Sequence, residues 1–132
     1  PSGAGKTSLA VAMMRQHTDA ASEAGMFVLA TDLHNCKSRS KLGHEPDLIA
    51  AAVNAPMLVL DDLGTEPLDR AGAVVEVVFH RHAHDLPTVV TTWLGDDETR
   101  ENRGAAIANR YGDGFARRVV GDARVIHLGA KP

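Results

Sequence analysis

The sequence predicts an α/β fold built on a parallel sheet. Short continuous apolar runs recur along the chain, and segments of helical length and spacing alternate with them. A glycine-rich turn opens directly into the first of those helical segments, and an acidic pair closes the second apolar run. Alternation of this kind places helices between strands that run the same way, because two parallel strands need a crossover to return the chain.

Length and composition set the outer limits. A chain of 132 residues supports one domain with a genuine core. Apolar residues make up 44% and charged residues 23%, the balance of a globular protein in water. Aromatic residues reach only 4%, which argues against the stacking surfaces that single-strand binders of the RRM or OB type use. A net charge of −3 excludes a broadly basic nucleic-acid binder while leaving room for a local basic patch. The single cysteine, Cys36, cannot form an internal disulfide, which suits a reducing cytoplasm. No apolar run approaches the length that spans a membrane and no signal peptide is visible, so no membrane partner is expected.

The first eight residues, Pro1-Ser2-Gly3-Ala4-Gly5-Lys6-Thr7-Ser8, fill the phosphate-loop pattern G-x-x-x-x-G-K-[ST] except for its opening glycine, which would precede Pro1. Gly3 and Gly5 let the backbone turn tightly and aim N–H groups at phosphate oxygens. Lys6 reaches the β- and γ-phosphates of a bound nucleotide, and Thr7 holds Mg²⁺ through its hydroxyl. The helix that starts near Lys6 presents its dipole to the same anion. The tripeptide G-K-[ST] turns up by chance in about one chain in twenty of this length, so the rest of the chain has to decide.

A helix from Lys6 to about Ala21 carries Leu9, Ala10, Met13 and Met14 on an apolar face, and Gly25 stops it. Met26 to Ala30 is a short apolar run that reads as a buried strand, ended by Thr31-Asp32. Residues 34–45 are polar and basic, with Lys37, Arg39 and Lys41 at alternate positions. They read as a solvated loop, with a DNA-contacting segment as the sharper alternative. A helix from Pro46 to Ala55 follows, with Leu48, Ile49, Ala52 and Val53 on one face. Met57-Leu58-Val59-Leu60 is the second strand.

Residues 71–85 are rich in valine, which favours a strand by propensity. The need for a crossover between two parallel strands makes them a helix instead. Thr88 to Thr92 is the third strand and Arg124 to Leu128 the fourth. Between them runs a helical stretch from Arg103 to about Val120, broken at Gly112-Asp113-Gly114.

Asp61-Asp62 stand at the carboxyl end of the second strand, where open α/β sheets bind their ligands. Asp61 is expected to hold Mg²⁺, and Asp62 to orient or deprotonate the attacking water. The competing reading is that two aspartates merely begin a turn before Gly64. A phosphate loop upstream, with a strand and a helix between, tells against it. His80, His82 and His84 alternate, and His80 with His84 could share a helix face. No third ligand accompanies them, so a solvated helix is the better reading, and Cys36 with His34 is a similarly poor metal site.

The motif order resembles the AAA+ ATPases of the DnaC/IstB type, the helicase loaders and transposition helper ATPases. P-S-G-A-G-K-T resembles their Walker A and M-L-V-L-D-D-L-G their Walker B. Phe79-His80-Arg81 followed by L-P-T-V-V-T-T resembles the stretch that ends in sensor 1. I-A-N-R-Y-G-D-G-F-A-R-R-V followed by R-V-I-H-L-G resembles the C-terminal helix and last strand. The likeness runs over nearly the whole chain.

The resemblance implies a P-loop NTPase core, a three-layer sandwich with sheet order 5-1-4-3-2. It implies ATP and Mg²⁺ as ligands, hydrolysis within a homo-oligomer, and work on DNA beside a replicative helicase or a transposase. The phosphate loop would be Pro1 to Ser8, with Thr7 and Asp61 on the metal and Asp62 catalytic. Arg118 aligns best with the arginine finger offered to a neighbouring subunit, and Arg117 and Arg110 compete with it. The sensor 1 polar residue falls at Trp93, so Thr92 is expected to substitute or hydrolysis to be slow. The family's final arginine would lie beyond Pro132. The whole of residues 1–132 is expected to be an AAA+ core incomplete at both ends, lacking the central first strand and folding poorly alone. A P-loop small-molecule kinase and a non-hydrolysing nucleotide switch are the rivals; the acid pair argues against the first and Trp93 keeps the second in play.

Overall fold

A computed structural model describes residues 5–21, 23–39, 47–69, 71–94 and 104–128. In chain order the elements are α1 (Lys6–Ala21), β1 (Gly25–Leu29), α2 (Ala30–Arg39), α3 (Asp47–Asn54), β2 (Met57–Leu63), α4 (Ala73–Ala83) and β3 (Thr88–Thr92). Helices α5 (Ala105–Tyr111) and α6 (Asp113–Ala116) follow, and a π-helical turn, Arg117–Gly121, continues directly from α6. The strands form one parallel sheet in the order β1-β2-β3. Those are the positions that the order 5-1-4-3-2 assigns to its last three strands, so the α/β P-loop architecture stands.

Pleating sorts the side chains of β2 between two layers. Leu58 and Leu60 enter the main core with Leu33, Ile49, Val74, Val77 and Phe115. Met57 and Val59, also buried, take the opposite face, where α1 seats on the strands through Ala10. Asp61 continues that odd-numbered row. The alternation that packs the sheet therefore also aims this carboxylate at α1. The valines of α4 serve a helix despite their strand preference, since Val74, Val75, Val77 and Val78 all lie in the core and tertiary burial outweighs propensity.

The structure corrects three expectations. Residues 34–39 are helical rather than loop: Ala30 and Leu33 are buried at helical spacing, and Lys37 one turn on reaches Glu76 of α4 at 3.0 Å. The remainder of the predicted loop, 40–45, lies outside the described residues. The fourth strand is not formed, as residues 124–128 have no regular structure. A strand in that position would need a neighbour between itself and β3, and no described strand stands there, so the segment has no ladder to join. On α1 only Ala10 of the expected apolar face is buried, while Leu9 and Met13 remain more than a third exposed. Met14 is half-buried against Gly25 of β1, while Leu9 and Met13 lie to the exposed side.

Candidate active site

The site assembles where α1 begins and β2 ends. Gly5 has φ +84°, a left-handed conformation that L side chains rarely adopt, and a Cβ there would meet nothing within 4 Å. The glycine is therefore needed for backbone geometry, not for room. Its carbonyl accepts from the N–H of Leu9 at 2.9 Å and closes the first turn of α1. That turn carries no acidic residue of its own, which suits an anion at the helix N-terminus. Lys6 and Thr7 open the helix and Ser8 is exposed beside them. Pro1, Ser2, Gly3 and Ala4 lie outside the described residues.

Thr7 and Asp61, expected on the same metal ion, are brought together. The Thr7 hydroxyl lies 3.0 and 3.1 Å from Asp61 Oδ1 and Oδ2. Asp61 is only 3% exposed. Its described partners are hydroxyls alone, Thr7 and Thr91, and neither described ion pair involves it. A buried carboxylate is costly unless a cation or metal offsets it. An acid and a threonine hydroxyl, both hard oxygen donors, form the kind of set that Mg²⁺ takes, with water and phosphate oxygens completing the shell. The residues present thus fit the ion.

Asp62 stands one residue on, exposed, at φ 58°. The register of β2 on β3 shifts between Leu60 and Leu63, so a bulge re-aims this position out of the ladder. Non-glycine residues seldom hold such a φ; aspartate tolerates it better than most, and such conformations gather at functional sites. The N–H of Asp62 donates to Thr91 Oγ1 at 3.0 Å, and that hydroxyl donates to Asp61 Oδ1 at 2.6 Å. One threonine therefore holds both acids. On the other side, the Asp62 carbonyl accepts from the Thr65 N–H and hydroxyl.

Thr92 is placed elsewhere. Its hydroxyl donates to the Leu63 carbonyl at 2.7 Å and accepts the Leu94 N–H, away from the acid pair. Strand alternation accounts for the difference, since neighbouring residues face opposite sides of the sheet. Thr91 is the residue that reading by motif missed. Trp93 is 55% exposed and packs near Gly64, where an added Cβ would come within 3.3 Å of its ring nitrogen.

The arginines divide. Arg110 donates to the Glu66 carbonyl and, at 3.2 Å, to the Tyr111 hydroxyl. Arg118 lies over the Phe79 ring at 4.3 Å and donates to the Gly114 carbonyl at 2.8 Å. Arg117 is exposed. None of their described contacts is with Thr7, Asp61 or Asp62.

Two buried polar groups escaped notice in the sequence. Arg81 is wholly buried, and its guanidinium donates to the carbonyls of Ala52, Val53, Ala55 and Pro87 and to the Thr88 hydroxyl. Burial lowers its pKa from the usual value. A lone charge on the buried face of α4 was the available signal. Glu66, 3% exposed, accepts from the Gly64 N–H at 2.9 Å and from the Tyr111 hydroxyl. Burial first, and then the Glu66 carboxylate, push the Tyr111 phenol well above its ordinary pKa, so it stays a proton donor. Among the described residues no group of three or more His, Cys, Asp or Glu gathers as a metal site elsewhere. His80 and His84 stack at 4.1 Å and His84 Nδ1 donates to the His80 carbonyl. No described helix is long and apolar enough to cross a membrane.

Comparison with known proteins agrees with this fold. No curated protein matches the chain. A solved structure described as the DnaC helicase loader superposes with a TM-score of 0.75 at 27% identity, covering 89% of this chain and 68% of that one. The family described as IstB-like ATP binding protein matches residues 1–102. By these likenesses the chain belongs to the IstB-like ATP-binding family, within the DnaC/IstB type of AAA+ ATPases.

Proposed function

We propose that this protein binds ATP with Mg²⁺ and hydrolyses it as part of a homo-oligomer, and that the turnover serves the loading of a replicative helicase onto DNA. The observation that carries the reading is the chain Thr7–Asp61–Thr91–Asp62, which joins the phosphate-loop helix to both strand-end acids by hydrogen bonds. Gly5 to Ser8 cradle the phosphates, with Pro1 to Ala4 completing the loop, and Lys6 meets the β- and γ-phosphates. Thr7 and Asp61 hold the metal, which when bound neutralises charge on the phosphate oxygens. Asp62, exposed and turned out of the strand, orients the attacking water and accepts its proton. Arg118, with Arg117 as its competitor, serves the neighbouring subunit's γ-phosphate; Arg110 is the weakest of the three because Glu66 and Tyr111 already engage it.

The helicase-loading role rests on likeness to the DnaC structure, while the IstB-like family match supports a second reading, a transposition helper ATPase. Substituting Asp62→Asn tests the chemistry common to both. Hydrolysis should fall by at least about a hundredfold while ATP affinity holds; equal turnover in the mutant refutes the role of Asp62. Adding a replicative helicase or a transposase to separate turnover assays then tells the two readings apart, since only the true partner should alter the rate.

A further inference from the structure

The buried carboxylate of Glu66 is not among the residues assigned to the nucleotide, yet it sits four residues past Asp62 and meets the only tyrosine of the chain. Its two oxygens point to different elements. Oε2 accepts from the Gly64 N–H, inside the turn that leaves β2, and Oε1 accepts from Tyr111 on α5. Arg110 closes the junction through the Glu66 carbonyl and the Tyr111 hydroxyl. Burying a carboxylate is expensive, and an apolar side chain would fill the space at less cost.

Asp62 is held in its left-handed conformation from both sides. Thr91 fixes its N–H, and the turn through Gly64 and Thr65 fixes its carbonyl end. Glu66 and Tyr111 anchor that turn to α5. Beyond Tyr111 the chain breaks at Gly112 and runs through α6 into the turn that carries Arg117 and Arg118. The turn that holds Asp62 and the segment that carries the arginines are thereby joined through the hydrogen bonds of Tyr111 and Arg110 to Glu66.

We propose that Glu66 and Tyr111 are positioning residues, which set the orientation of Asp62 and couple it to the arginine-bearing segment 105–121. The proposal rests on the ATPase reading above. Its consequence is that an arginine segment seated on a neighbouring subunit favours the working orientation of Asp62, so hydrolysis waits for assembly.

The test uses the intact protein and two near-isosteric variants, Tyr111→Phe and Glu66→Gln. ATP affinity, kcat, the melting temperature and the emission of Trp93 are measured for each. Trp93 is the only tryptophan and packs near Gly64, so it reports the turn without nucleotide. The expected result is a kcat about tenfold lower, ATP affinity within about twofold of the parent, and a shifted emission. Unchanged kcat and emission overturn the proposal. A loss of affinity in step with kcat and melting temperature also overturns it, because that is the mark of a merely structural contact. Should Tyr111→Phe fail to fold, Glu66→Gln carries the same test. If the unmodified protein shows no turnover, the ATPase reading fails instead, and the Trp93 emission of the variants alone decides whether the junction governs the turn.

Discussion

At the scale of single residues, the buried hydrogen-bonding groups are the informative ones. Arg81 donates to four carbonyls where α3 ends and where β3 begins, so it ties two connections of the sheet to α4. Removing a charged donor from such a place leaves several buried acceptors unpaired. Arg81→Met, which keeps most of the apolar stem, should cost about 3 kcal/mol or more in a denaturant melt. A loss below about 0.5 kcal/mol would mean that water replaces the guanidinium. The exposed pair Lys37–Glu76 makes the contrast, because exposed ion pairs contribute little. Among the site residues, Thr91 was not singled out beside Thr92, since a run of two threonines does not say which one faces the acids. The register of β3 on β2 settles it.

At the scale of elements, the break between α5 and α6 matters most. Gly112 has φ 97° and ψ 163°, a region essentially confined to glycine. An added Cβ would meet nothing within 4 Å, so any penalty on substitution is backbone strain and not a clash. Gly112→Ala should cost about 1–3 kcal/mol and, by changing how α6 leaves α5, lower turnover more than ATP affinity. Calorimetry with nucleotide and a turnover assay check this together. The break itself was legible in Gly112-Asp113-Gly114. Helix α2 was not, because its polar exposed face hides an apolar contact made by only two buried residues, Ala30 and Leu33.

At the scale of the whole molecule, the proposed finger makes predictions about assembly. Arg118 is held on its own subunit by the Phe79 ring and the Gly114 carbonyl, so reaching a neighbour requires releasing both. Turnover per subunit should therefore rise with protein concentration and with single-stranded DNA. Mixing an Arg118→Ala protein with an Asp62→Asn protein should restore activity, since each supplies what the other lacks across an interface. Activity that stays independent of concentration, with no restoration on mixing, would place the finger elsewhere or make the protein act alone.

The sequence by itself determined the three parallel strands with their helical crossovers, the candidate phosphate-binding and acidic residues, and the family, because these depend on local spacing and on residue chemistry that tolerates few substitutes. Gly5, Lys6, Thr7, Asp61 and Asp62 could all be named without coordinates. Folding was needed to pair Thr7 with Asp61, to choose Thr91 over Thr92, and to bring Tyr111 onto Glu66. Folding also left Arg124 to Leu128 without regular structure, where β propensity was present but no described strand lies beside it to pair with. The physical reason is the same in each case. Strand pairing and buried hydrogen bonds join residues far apart in the chain, and local pattern does not encode which distant partner will be met.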